Sequence, residues 1–208
     1  QMLDHALWVG IGFLSGSIPW ALVIGKFISH KDVREVGDGN PGSVNAWKSG
    51  GWVPGLVSTV AEVNKSLLPV YFAMKHLGAP STLWTQIGLA LIAIAPILGH
   101  GWSPMLHFRG GKALAASWGS WIALTGGLAF PVALVTLGLL HGLQRSHAIT
   151  VTTCVVVFLA VFLPMETELY LLLFWLANIA LLIYKHRGEY SRGIVFRDWV
   201  SRASSKQS

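Results

Sequence analysis

Two glycine-rich stretches hold most of the residues whose types and spacing could do chemistry. The first runs Gly37-Asp38-Gly39-Asn40-Pro41-Gly42-Ser43-Val44-Asn45, with Lys48 close behind. Glycines permit positive φ and let backbone N–H groups approach a ligand, and successive N–H groups in such a turn form an anion-binding nest. A tight loop re-entering an apolar layer, its asparagines capping helices, explains the same residues, and this stretch alone leaves both readings open. The second stretch runs Gly99-His100-Gly101-Trp102-Ser103-Pro104, then Phe108-Arg109-Gly110-Gly111-Lys112 immediately before an apolar run. Gly110 and Gly111 there are expected to leave free N–H groups at the positive end of a helix. That geometry binds phosphate, and Lys112 adds a mobile cation. The spacing is not that of a Walker loop, and no strand precedes it. The plainer reading makes Arg109 and Lys112 anchors at a membrane boundary.

Two more features carry charge where charge is unusual. Glu62 and Lys65 stand at i and i+3 inside an apolar segment, hence on one helix face. Ionisable groups there face a bundle interior, either as a packing pair or as part of a site. Near the end, Tyr184-Lys185-His186-Arg187-Gly188-Glu189 places His186 at a boundary, as an acid–base or phosphate-contacting group or as one member of a basic cluster. His5, His30, His76, His107 and His141 show no metal-ligand spacing and receive no role.

The elements that must position these residues follow from composition. Hydrophobic residues make up 53% of the chain and charged residues 12%, with a mean hydropathy of +0.57. Soluble domains carry about 25% charge, so most of this surface faces something other than water. Apolar segments fall at 6–25, 52–73, 83–98, 113–124, 128–143, 148–163 and 169–184. Spans of roughly 20 residues cross a bilayer, which predicts an all-α polytopic membrane protein, a seven-span helix bundle forming one domain over 1–208 with a frayed tail at 202–208. The first segment has Asp4 and His5 before it and no basic leader, so it is expected to be a span and not a cleaved signal. Ten tryptophans suit membrane boundaries; Trp8, Trp20, Trp84, Trp118, Trp121 and Trp175 are expected to face lipid, a pigment or neighbouring helices. The lone Cys154 excludes an internal disulfide.

Seven spans sort the charges by side. One side collects Lys26, Lys31, Arg34, Lys48, Arg109, Lys112, Arg145, Lys185, Arg187, Arg192, Arg197, Arg202 and Lys206, while the other holds Lys75 with Asp4, Glu166 and Glu168. The positive-inside rule puts the basic side in the cytoplasm, the N-terminus outside and the C-terminus inside. Cations scattered over short loops, without a continuous basic face, argue against nucleic acid and for anionic headgroups or a phosphorylated substrate. No inverted repeat or acidic pore ring supports a transporter or channel.

Taken in order, Gly16-Ser17-Ile18-Pro19, the 37–45 stretch, Gly99-His100, Pro104, Phe108-Arg109-Gly110-Gly111-Lys112 and Ile183-Tyr184-Lys185-His186-Arg187 resemble one family across nearly the whole chain. It is the bacterial acyl-phosphate-dependent glycerol-3-phosphate acyltransferases, the PlsY family. The resemblance implies a seven-span fold in the bacterial plasma membrane, with its N-terminus outside. It also implies acyl transfer from acyl phosphate to glycerol 3-phosphate, giving lysophosphatidate, without metal or cofactor. By the same resemblance Lys112, His186 and Asn45 are catalytic, and Gly39, Asn40, Gly42, Lys48, Lys65, His100, Gly110 and Gly111 bind substrate or phosphate. Lys48 stands for a family arginine, keeping charge but losing the bidentate fork. Four places depart from the family pattern. Asp38 replaces a serine, Glu62 and Ser66 replace the aspartate and glycine of Asp-x-x-Lys-Gly, Ala148 replaces a serine after the fifth span, and Glu189 replaces an asparagine. Two hydrogen-bond donors to phosphate thus become acidic. That leaves open a second reading, a catalytically degenerate relative serving as a structural or assembly subunit of a larger membrane complex.

Overall fold

A computed structural model describes residues 2–165 and 168–199; Glu166, Arg202, Lys206 and the 202–208 tail lie outside the described residues. All seven apolar segments are helical, but the first is not one helix. α1 (Met2–Ser17) stops before Ile18-Pro19, and the short α2 (Trp20–Ile24) resumes and passes into a π-helical turn (Gly25–Ser29). Pro19 lacks an N–H and cannot extend the ladder of α1. Backbone groups on both sides of the break then need other partners, because unpaired ones are costly away from water.

α4 (Trp52–Leu77) provides those partners. Lys65 Nζ donates to the Ile18 carbonyl at 2.9 Å, and the Ala21 N–H donates to Glu62 Oε1 at 3.1 Å. Glu62 Oε2 pairs with Lys65 Nζ at 2.6 Å and lies 2.9 Å from Nδ1 of His100, on α5 (Leu83–Gly101). Glu62 is 1% exposed and Lys65 4%, so this is an interior junction of α2, α4 and α5.

The described residues form five more α-helices: α3 (Ser43–Gly50), α6 (Leu114–Leu124), α7 (Ala129–Leu143), α8 (His147–Phe162) and α9 (Leu169–His186). α3 was not expected; the glycine turn closes by Gly42, and Ser43 already begins a helix that carries Asn45 and Lys48. Small residues let the longer helices touch backbone to backbone. A Cβ on Gly16 of α1 would fall 2.0 Å from the Pro96 carbonyl oxygen of α5, and one on Gly119 of α6 would fall 2.1 Å from the Val63 carbonyl oxygen of α4. Trp121 is a core residue and not the boundary residue its type suggests. Its indole N–H donates to Asn178 Oδ1 at 3.0 Å, and its ring meets Phe158, Phe162 and Phe174.

Outward, α1, α4, α5, α7 and α9 expose large apolar side chains such as Leu14, Phe72, Leu91, Leu134 and Leu176. Helical runs Met2–Ser29, Leu83–Leu106 and Leu169–His186 are long and apolar enough to cross a membrane, while α6, α7 and α8 are apolar but shorter. At one end of the bundle the 30–42 loop, the 102–113 turn, the α7–α8 connection and the segment after α9 come together. The pairs Lys112–Asp38, Lys112–Glu189 and Arg145–Asp198 join them.

The Glu62 junction makes a direct prediction. Glu62→Gln leaves the Lys65 ammonium buried without a counter-charge and should cost about 3–5 kcal/mol, whereas adding Lys65→Met should recover part of that loss. Thermal unfolding in detergent measures both; a double variant no more stable than the single one would contradict the pairing.

Candidate active site

At this end a cavity of about 870 Å³ opens between α3, α4, the start of α6 and the α7–α8 connection. One wall is polar, with Asp38, Lys48, Lys112, His186 and Glu189; another is apolar, with Val44, Trp47, Leu114, Trp118 and Leu137. A charged group and a hydrocarbon chain can therefore sit side by side.

The 37–45 stretch shapes the polar wall. Gly37 and Gly39 adopt φ of 64° and 72°, which side-chain-bearing residues rarely take. Asp38 organises the turn: its Oδ1 accepts from the Asn40 N–H at 3.2 Å and from Asn45 Nδ2 at 3.0 Å. Asn45 Nδ2 also donates to the Asn40 carbonyl at 3.0 Å. The Gly39 N–H goes to the Val36 carbonyl and the Gly42 N–H to the Asn40 carbonyl. The expected open nest is thus a loop closed on itself, because a carboxylate stands inside it. Asn45 is 1% exposed and acts from behind the cavity wall. Lys48 lines the cavity and makes no ion pair among the described residues.

Gly110 and Gly111 also differ from their expectation. The Gly111 N–H donates to the His100 carbonyl at 3.1 Å and is not free. A Cβ on Gly110 would lie 2.0 Å from that carbonyl oxygen, and one on Gly111 2.3 Å from His100 Nε2. These glycines are there for close approach, seating the turn on His100 so that Lys112 reaches the cavity. Ala113 then takes φ 66° and α6 begins.

Lys112 meets both Asp38 and Glu189. Its Nζ donates to Asp38 Oδ2 at 2.5 Å and to Glu189 Oε1. Burial raises the Asp38 carboxyl, but the hydrogen bond and charge of Lys112, the Asn40 N–H and the Asn45 amide outweigh it and hold the group down to about 2. For Lys112 burial pulls downward, and the hydrogen bonds to Asp38 and Glu189 overcome it, raising the ammonium above its usual range. Two carboxylates that look independent in sequence are one structure around one lysine.

His186 is 1% exposed at the end of α9 and lines the cavity. Its Nδ1 lies 2.9 Å from the Leu182 carbonyl, which only accepts, so Nδ1 carries the proton. In the neutral ring Nε2 is then a bare acceptor, and it is buried without a partner. His100 touches the cavity while held by Glu62. Lys65, expected to bind phosphate, is closed within the Glu62 pair and does not line the cavity. Ala148 is fully buried and does not line it either. Ser146, two residues earlier, does line it, and its buried Oγ has no partner. The Gln144 side chain holds the Ser146 N–H and carbonyl, so α8 starts at His147 and turns Ala148 inward. His141, Arg145 and His147 also line the cavity. Their spacing across a helix–helix turn matches no motif, so only the closeness of α7 and α8 reveals them.

The sequence profile described as glycerol-3-phosphate acyltransferase matches residues 6–195. Glycerol-3-phosphate acyltransferase 1 of Thermotoga maritima is 30% identical over 203 residues, covering 92% of this chain and 98% of its own. The glycerol-3-phosphate acyltransferase of Endomicrobium trichonymphae is 32% identical, covering 92% of each. Two crystal structures of PlsY (YgiH), an integral membrane glycerol 3-phosphate acyltransferase, share the fold, with 90% of each chain covered. The glycerol 3-phosphate form has a TM-score of 0.79 at 28% identity, and the lysophosphatidic acid form 0.78 at 26%.

The depressed Asp38 carboxyl fixes the sign of one pH effect. A carboxyl lowered by folding adds stability that is complete above its ordinary value near ~4 and vanishes as pH falls through about 2. The protein should therefore unfold at higher temperature than Asp38→Asn at pH 7, with the gap closing between about pH 4 and 2. A gap independent of pH would rule out the ionic contribution.

Proposed function

The chain belongs to the glycerol-3-phosphate acyltransferase family, and on that footing we propose that it transfers a fatty acyl group from acyl phosphate to glycerol 3-phosphate. The product is lysophosphatidate, and the reaction takes place at the cytoplasmic face of a bacterial plasma membrane. The observation that carries this reading is the meeting of Lys112, the unclaimed Lys48 and the bare Nε2 of His186 on one cavity that also has an apolar wall.

In this reading Lys112 exchanges its carboxylate partners for the phosphate of a substrate. Both pairs are partly exposed, so each is weak enough to give way. The acyl chain lies along Trp47, Leu114, Trp118 and Leu137. The glycerol hydroxyl gives its proton to His186 Nε2 as its oxygen bonds to the acyl carbon. The bond from that carbon to the phosphate oxygen breaks, and the proton passes from His186 to the departing phosphate. Lys112 and Lys48 offset the charge that gathers on that phosphate, and positioning of the two anions does the rest. Asn45, Asn40 and the glycines hold the loops in place. No metal or cofactor enters the scheme. The spans are α1 with α2, α4, α5, α6, α7, α8 and α9, and the basic end faces the cytoplasm by the positive-inside rule.

One observation favours the second reading, a degenerate relative built into a larger membrane complex: Lys112 already has two carboxylate partners. Turnover separates the two. Detergent-purified protein given acyl phosphate and glycerol 3-phosphate should form lysophosphatidate, and Lys112→Ala should lower kcat/KM by about 100-fold or more. No turnover in the natural chain, with turnover appearing in Asp38→Ser/Glu189→Asn, would establish the degenerate reading.

A further inference from the structure

Beside His186 the cavity holds a second imidazole that the scheme above does not use. His147, the first residue of α8, lines the cavity with its ring centroid 6.2 Å from that of His186, the planes at 63°. Behind it stands His141 of α7, whose Nε2 lies 3.2 Å from His147 Nδ1. His141 Nδ1 in turn lies 2.9 Å from the Leu137 carbonyl.

These contacts fix where the protons sit. A carbonyl oxygen only accepts, so His141 Nδ1 carries the proton and the Nε2 of its neutral ring is an acceptor. His147 must then donate through Nδ1, which leaves its own Nε2 bare. Hydrogen bonding thus forces one tautomer on His147, and His186 has the same tautomer through the Leu182 carbonyl. The cavity is lined by two neighbouring imidazoles, each lacking a proton at Nε2. Acceptors on two neighbouring rings, their centroids 6.2 Å apart, call for two donors on one ligand, each about 2.8 Å from its nitrogen. A vicinal diol has that form.

We propose that His147 and His186 together read a vicinal diol on the acyl acceptor, His186 taking the hydroxyl that is acylated and His147 holding its neighbour. This rests on the acyltransferase reading, which supplies an acceptor with two adjacent hydroxyls. His147 is then a specificity-determining residue, and His141 positions it by fixing its tautomer. An acceptor lacking the second hydroxyl leaves His147 Nε2 unpaired, and an unmet polar group costs more than a missing contact.

The test compares glycerol 3-phosphate with 3-hydroxypropyl phosphate, which keeps the phosphate and the reacting hydroxyl but lacks the adjacent one. The natural protein should favour glycerol 3-phosphate by about tenfold or more in kcat/KM, and in Kd by calorimetry. His147→Leu should bring both ratios close to one. His141→Leu should lower the ratios, and His141→Gln, whose side-chain oxygen still accepts from His147, should restore them. Nitrogen-15 NMR of histidine-labelled natural protein does not depend on any variant folding; it should show His147 and His186 protonated at Nδ1 and bare at Nε2. A His147 protonated at Nε2, or a preference unchanged in His147→Leu, overturns the proposal. If the natural protein binds both compounds with the expected preference but transfers no acyl group, the acyltransferase reading fails and the diol site stands.

Discussion

Glu62 ties three helices to each other where the chain is least able to satisfy itself. The Ile18-Pro19 break exposes backbone groups between α1 and α2, and Glu62 and Lys65 fill them from α4. The same carboxylate holds His100 at the end of α5. His100 then seats the Gly110-Gly111 turn, whose N–H and close contacts leave no room for a side chain. From there the chain runs straight into Lys112. One buried charge therefore governs where a cation sits on the cavity, several contacts away. A hydrophobic replacement of the pair would keep the helices together, but it would not hold His100.

Around Lys112 the balance of effects is different. Asp38 and Glu189 keep side-chain exposures of 47% and 24%, so solvent competes for every contact the lysine makes. Pairs of this kind contribute at most about 1 kcal/mol each. They hold the lysine when the site is empty without fixing it there. Asp38 has a second duty, since its other oxygen organises the 37–45 turn through Asn40 and Asn45. A carboxylate that looks hostile to phosphate in the sequence thus does the internal bonding of its loop. Among the described residues the Glu189 side chain has no such duty and bonds Lys112 alone.

Much of this was legible before any coordinates. Seven apolar segments became helices at almost the boundaries read from hydropathy, because apolar runs in so short a chain leave few other choices. The order of glycine-rich blocks pointed to the family, and Glu62 with Lys65 was readable as an interior pair from its i, i+3 spacing. Other features depend on distance in space. Nothing in the sequence places Asp38 and Glu189 on one lysine 74 and 77 residues from them, respectively. The break at Pro19 lies inside an otherwise continuous apolar run, and the partners of its backbone groups come from α4, 41 and 47 residues away. That Ser146 lines the cavity while Ala148 is buried depends on where α8 begins, which the Gln144 side chain helps to fix through the Ser146 backbone. His147 gained meaning only once His141 and the Leu137 carbonyl fixed its tautomer.

The central claim is that Lys112 receives the substrate's phosphate and that Glu189 competes for it. Calorimetric titration of glycerol 3-phosphate into the detergent-purified protein and its Glu189→Asn variant tests this without depending on turnover. The account predicts a Kd about twofold to fivefold lower in the variant, the size of one partly exposed ion pair. An unchanged Kd, or weaker binding in Glu189→Asn, would contradict it.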